Sequence, residues 1–155
     1  MRIEREDPRT PDVAGLLGEH LADMFAESPP ESVHALDLHA LARPEIAFWT
    51  ARDDTGALLG CGALKHLDDL SGELKSMRTA TASRGRGVGA ALLARLVEEA
   101  RHRGYRHLYL ETGTQDFFAP ARRLYLRSGF EETGPFADYR LDPHSAYFRL
   151  DLQPS

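Results

Sequence analysis

Residues 84 to 89 read Arg84-Gly85-Arg86-Gly87-Val88-Gly89 and run directly into a long apolar-periodic stretch. A glycine-rich turn that opens a helix exposes backbone N–H groups with no intrahelical partner, and the helix dipole adds partial positive charge there. Glycines let an anion come close to the main chain, and Arg84 and Arg86 would add charge-assisted donors. The chemistry implied is the grip of a phosphate-bearing ligand; the plain alternative is a turn whose arginines are merely solvated. Two carboxylates flank this loop along the chain. Glu73 opens the polar segment Glu73-Leu74-Lys75-Ser76-Met77-Arg78-Thr79, and Glu111 ends the apolar run from His107.

Two other phosphate-loop patterns compete for the same residues. Gly85, Gly87 and Ala90 satisfy G-x-G-x-x-G/A, and Glu111 lies 21 residues beyond Ala90 (111 − 90), as a dinucleotide fold would place its acidic residue. Such a fold needs a buried apolar strand leading straight into the glycines. Here the strand carries Glu73, Lys75 and Arg78, and Ala80 to Ser83 intervene. The 44 residues after Glu111 (155 − 111) are too few to finish a doubly wound sheet. No Gly-Lys-Ser/Thr follows, so a P-loop is excluded.

The elements that must position these groups follow from periodicity. Val88, Leu92, Leu93, Leu96, Val97 and Ala100 predict a helix closed by Gly104. Glu73–Thr79 and His107–Thr112 read as the strands on either side of it. Ala121, Leu124 and Tyr125 suit a further helix ending at Gly129, with strands at 130–133 and 146–152. Upstream, Ile3 marks an edge strand. Thr10-Pro11 offers an N-cap and a first-turn proline for a helix with the stripe Val13, Leu16, Leu17, Leu21, Met24 and Phe25, which Ser28-Pro29-Pro30 ends. A second, shorter helix is predicted from Ser32 to Leu41, before Pro44. Strands over Ile46–Ala51 and Leu58–Leu67, joined by Asp53-Asp54-Thr55-Gly56, form an antiparallel hairpin in which Gly60 and Gly62 permit close packing.

The 155 residues carry a formal charge of −5 with 42% apolar and 28% charged residues, which fits one domain, 1–155, with a real core and excludes disorder. No apolar stretch approaches the ~20 residues of a membrane span, and the acidic balance argues against nucleic-acid binding although seventeen of the nineteen basic residues are arginine. The lone Cys61 and seven scattered histidines show no metal-site spacing, so no metal is expected and a reducing cytoplasm is the natural location. Cys61 reads as a small buried hydrophobe rather than a nucleophile.

With these residues in place, the chain resembles the GCN5-related N-acetyltransferase (GNAT) family. Arg84, Gly87 and Gly89 match that family's Gln/Arg-x-x-Gly-x-Gly/Ala loop, and Leu124-Tyr125-Leu126-Arg127-Ser128-Gly129-Phe130 is similar to its Leu-Tyr-x-x-x-Gly-Phe signature. The resemblance covers nearly the whole chain. It implies an α/β fold with a mixed, mostly antiparallel sheet of six to seven strands and about four helices, splayed between the strands ending near Thr79 and Thr112. It also implies acetyl-CoA as cofactor. The pantetheine arm would bond main-chain atoms of Met77, Arg78 and Thr79, and the pyrophosphate would rest on the amides of Arg84, Gly85, Arg86, Gly87, Val88, Gly89 and Ala90. Thr112 would sit at the splay, and Ala121 would be the small residue where the next helix passes the cofactor.

The resemblance further implies that Glu73, or second Glu111, relays the amine's proton and that Tyr125 protonates the leaving thiolate. The alternatives are a Glu73 that pairs with Lys75 on the surface and a Tyr125 that is a core aromatic. Two positions depart from the family pattern: Phe118 replaces an asparagine that commonly contacts CoA, and Thr81 replaces a proline before the loop. Ser28, Ser32 and His34 lie in a segment similar to one in small bacterial members; they are candidate substrate contacts or, alternatively, caps of the second helix. His66, Asp138 and Tyr139 are further pocket candidates. The expected function is acetyl transfer to the amine of a small molecule in a ternary complex, with a homodimer allowed. Acetylation of a peptide or protein amine, or a CoA-binding module with little turnover, are the alternatives.

Overall fold

In the computed structural model, which describes residues 1–153, the chain forms seven strands and four α-helices. They run β1 (Arg2–Arg5), α1 (Pro11–Glu27), α2 (Leu38–Leu41), β2 (Ile46–Arg52), β3 (Leu58–Asp68), β4 (Ser71–Thr79), α3 (Val88–His102), β5 (His107–Gly113), α4 (Ala119–Arg127), β6 (Glu131–Thr133) and β7 (Ser145–Asp151). All strands join one sheet in the order β1-β2-β3-β4-β5-β7-β6. Among the described residues only β4 and β5 pair in parallel. No helix among the described residues is long and apolar enough to cross a membrane.

The splay is visible in the register. β4 and β5 pair from Ser71↔His107 to Leu74↔Leu110 and then part, while β4 stays on β3 as far as Thr79 and β5 stays on β7 as far as Gly113. The β3–β4 register slips between Cys61 and Ala63, opposite Ser76, whose φ of 55° is left-handed in a non-glycine residue. An extra residue in one strand bends and twists it, so the bulge lies just where β4 leaves β5.

The sheet separates two cores. On one face α3 and α4 bury Leu93, Leu96 and Tyr125 against Leu64, Leu74, Leu108, Leu110 and Phe148. α3 packs tightly over β3 because Gly62 carries no side chain: a Cβ there would lie 2.6 Å from Met77 Sδ and 2.8 Å from Leu96 Cδ1. On the other face α1 sets Val13, Leu16 and Leu17 against Phe48, Cys61 and Ala63.

Three local expectations require correction. The helix predicted from Ser32 to Leu41 is a 3-10 turn at Pro30–Ser32, an extended run over 33–37 and only four helical residues, capped by Asp37 Oδ1 on the Ala40 amide at 2.8 Å. Tertiary contacts override the periodicity, because Val33, His34 and Ala35 line a cavity. Thr10 does not cap α1 with its side chain; its hydroxyl donates to the Asp7 carbonyl instead. Phe25, placed on the apolar stripe, is 52% exposed, since α1 runs past the core there and turns Met24 to the same cavity.

Candidate active site

Beyond Thr79 the chain makes a 3-10 turn at Thr81–Ser83, crosses the glycine loop and enters α3. Gly85 and Gly87 have φ of 76° and 79°, a region that costs a side-chain-bearing residue roughly 1–2 kcal/mol. Gly87 is also the N-cap of α3, so no side chain satisfies the first-turn amides. Uncapped donors at a helix N-terminus, with the Arg84 guanidinium beside them, fit a diphosphate. Arg84, Gly85, Gly87, Val88, Gly89 and Ala90 all line a cavity of about 690 Å³. Arg86 does not; its charge acts on Asp53 in the β2–β3 turn, where it helps hold that carboxyl low after the bonds from Thr55 and Ala57.

The cavity continues through the splay. Met77, Arg78 and Thr79 from β4 line it, as do Thr112 from β5 and Ala121 from α4. Phe118, in place of the expected asparagine, also lines it, buried against Gly113 at the end of β5.

Glu73, Glu111, Tyr125, Ser28, Ser32 and His34 line the same cavity, so the structure brings every proposed catalytic and substrate residue to one space. Glu73 is buried, and its Oε2 accepts from Lys75 Nζ at 3.1 Å and from the Tyr139 hydroxyl at 2.5 Å. Lys75 also donates to the Tyr139 oxygen at 2.9 Å. The Glu73–Lys75 pair expected on a surface is therefore real but buried, with both side chains under 10% exposed. Burial and the adjacent Glu73 charge push the Tyr139 phenol well above its ordinary range.

Glu111 behaves differently. Burial is the main cause that raises its carboxyl from 4.5 to about 7, and the charges of Glu73 and Asp142 add to it. Lys75 opposes the rise, as does the Ser145 hydroxyl, which lies near enough to favour the charged form without meeting hydrogen-bond geometry. Tyr125 answers to both of its sequence readings. It lines the cavity, yet its ring packs on Phe130 and Phe148 in the core, and burial raises its phenol above the usual range, with Glu111 adding to the effect.

Ser32 and His34 cap no helix. Ser32 Oγ donates to Asp142 Oδ2 at 2.5 Å, and the His34 ring meets Tyr139 edge-on at 4.9 Å. These contacts tie the 28–37 segment to the 134–144 segment. Ser28 is the C-cap of α1. His66 lies away from the site, its Nδ1 bonded to the Tyr105 hydroxyl at 2.6 Å. Sequence reasoning missed His20, Asp142 and the side-chain role of Arg78, and it weighed Tyr139 without a reason to prefer it. The one available signal was the Glu73/Lys75 alternation, which puts both side chains on one strand face.

A seven-stranded splayed sheet with a glycine-loop helix start at the opening defines the class. Residues 14–130 match the model of the Acetyltransferase (GNAT) family, and the chain belongs to that family. It is an acyltransferase. Among curated relatives it is 48% identical to the N-acetyltransferase YsnE of Bacillus subtilis, itself uncharacterized, over 98% of this chain and all of that one. It is 39% identical to an IAA acetyltransferase of Azospirillum brasilense over 97% of both chains. Among solved structures, a GNAT-family acetyltransferase from Elizabethkingia anophelis with acetyl-CoA bound shares the fold with a TM-score of 0.69 at 18% identity, covering 97% of each chain.

Proposed function

We propose that this protein transfers an acetyl group from acetyl-CoA to the amine of a small molecule by direct attack in a ternary complex. The observation that carries the reading is the single cavity joining the uncapped start of α3 to the buried Glu73 and half-buried Glu111 across the β4–β5 splay. When bound, acetyl-CoA supplies a thioester whose carbonyl carbon the amine attacks. Arg84, Gly85 and Gly87 to Ala90 would hold its diphosphate through main-chain amides, and the main chain of Met77 to Thr79, freed from β5, would pair with its amide-bearing arm as a strand edge pairs with another strand.

Glu111 suits the base because its carboxyl changes protonation near neutrality, where a base works best. Glu73, held by Lys75 and Tyr139, orders the floor beside it. Tyr125 keeps its proton at neutral pH and can give it to a thiolate. A solved fold relative holds acetyl-CoA, and a 39%-identical relative is named an acetyltransferase of IAA, which supports a small acceptor. The lone, buried Cys61, whose thiol burial pushes up to about 12, suits a reducing cytoplasm.

Calorimetry with CoA followed by thiol release with acetyl-CoA and a panel of amines tests the reading. Binding with turnover supports it. Tight binding without turnover on any amine supports a CoA-binding module instead, and no binding removes the assignment of the loop.

A further inference from the structure

Three buried polar atoms on one wall of the cavity have no hydrogen-bond partner: His20 Nδ1, Ser76 Oγ and Arg78 Nε. His20 belongs to α1 and the other two to β4 at and beyond its bulge, and all three residues line the cavity. Folded proteins leave few buried polar atoms unpaired, so three on one wall call for a missing partner. The wall lies on the α1 face of the sheet. Met77, between Ser76 and Arg78, turns the other way and packs toward Leu96 of α3.

Arg78 decides the sign of that partner. Its side chain is 7% exposed, and Nη1 donates to Asp23 Oδ2 at 2.6 Å. Asp23 is 39% exposed, so water takes up part of its charge and leaves the buried guanidinium under-compensated. Nε has no partner, and Nη2 bonds to no other described residue. This Nε–Nη2 edge is the one with which Arg52 grips both oxygens of Glu6, at 3.0 and 2.7 Å.

His20 and Cys61 beside Arg78 add no charge of their own. Burial, and then Arg78, push the His20 imidazole down to about 4, so it is neutral, and the Cys61 thiol beside Arg78 stays protonated. One buried, unpaired guanidinium edge flanked by a hydroxyl and a neutral imidazole matches a carboxylate.

We infer that the acceptor is an amine that also carries a carboxylate, seated on Arg78, Ser76 and His20 while its amine faces Glu111 across the splay. This rests on the transferase reading and names its substrate class. Amino acids and their carboxamides give matched probes, with α- and ω-amino acids each compared with its amide by thiol release from acetyl-CoA. The accepted acids should exceed their amides in kcat/KM by at least ~30-fold, since a site built for a polar group rejects the analogue that lacks it. Arg78→Gln should pull that ratio toward one by raising KM for the acid. Arg78→Lys keeps a cation beside Asp23 but loses the fork, so it should retain part of the ratio, and it gives the reading should Arg78→Gln not fold.

Equal rates for acids and amides, a panel in which amides but no acids are accepted, or an Arg78→Gln that slows both alike would overturn the inference and leave the transferase reading standing; CoA binding without turnover on any amine would overturn both. Absence of CoA binding by calorimetry would overturn both.

Discussion

Replacing Glu111 by glutamine isolates the cost of ionising a carboxylate that is largely withdrawn from water, with the Glu73 charge nearby as a smaller addition. Glutamine keeps the shape of the protonated acid and cannot ionise. The Glu111 carboxyl rises from 4.5 to about 7 in the fold, so at ~1.36 kcal/mol per tenfold change in proton affinity, charging it there costs about 3 kcal/mol. The sign follows from which state holds the proton. Below about pH 4.5 folded and unfolded chains are both protonated and there is no cost. As pH rises to about 7 the unfolded chain releases its proton while the folded chain keeps it, so stability falls; above about 7 the full cost is present.

Urea unfolding of the wild type and Glu111→Gln at pH 4.5, 6 and 8 measures this. The two should be equal at pH 4.5, and the variant should be more stable by about 3 kcal/mol at pH 8, or ~6–12 °C in Tm for a chain of this size. Its kcat/KM should fall by ~10²–10⁴, with the wild-type profile rising to a plateau above about pH 7. A stability difference independent of pH, or a variant less stable at pH 8, would refute the reasoning.

Tyr139→Phe removes the phenol from Glu73 and Lys75 but keeps its ring contacts, and should lower unfolding free energy by ~1–2 kcal/mol in denaturant titration. Gly87→Ala adds a Cβ that meets nothing but sits at φ 79°, so the loss should be about 1 kcal/mol, read by thermal unfolding, with CoA affinity lowered in calorimetry. Gly113→Ala drives its Cβ into the buried Phe118 ring and should cost more, ~1–3 kcal/mol; a smaller loss than at Gly87 would show that Phe118 can move.

Much of the fold was legible before any coordinates. The stripe from Val88 to Ala100 and the hairpin around Asp53–Gly56 are local patterns, and both elements form where they were expected. The loop from Arg84 to Gly89 was legible for the same reason, because glycine spacing ahead of a helix is a short-range signal. The 28–41 segment was misread. Its apolar spacing suits a helix, but His34 is drawn onto Tyr139, and Ser32 onto Asp142, 110 residues away.

What one dimension determined about this protein was the class: element order, the glycine-rich turn ahead of a helix and two carboxylates on adjacent strands, each written in neighbours a few residues apart. What the tertiary structure decided was chemistry. Tyr139 closes on Glu73 from 66 positions away and Arg78 reaches Asp23 across 55, contacts that no periodicity encodes. The physical reason is that a proton affinity depends on burial and on every charge nearby. The assembled sheet, by withdrawing Glu111 from water and setting Glu73 and Asp142 near it, raises that carboxyl toward neutrality.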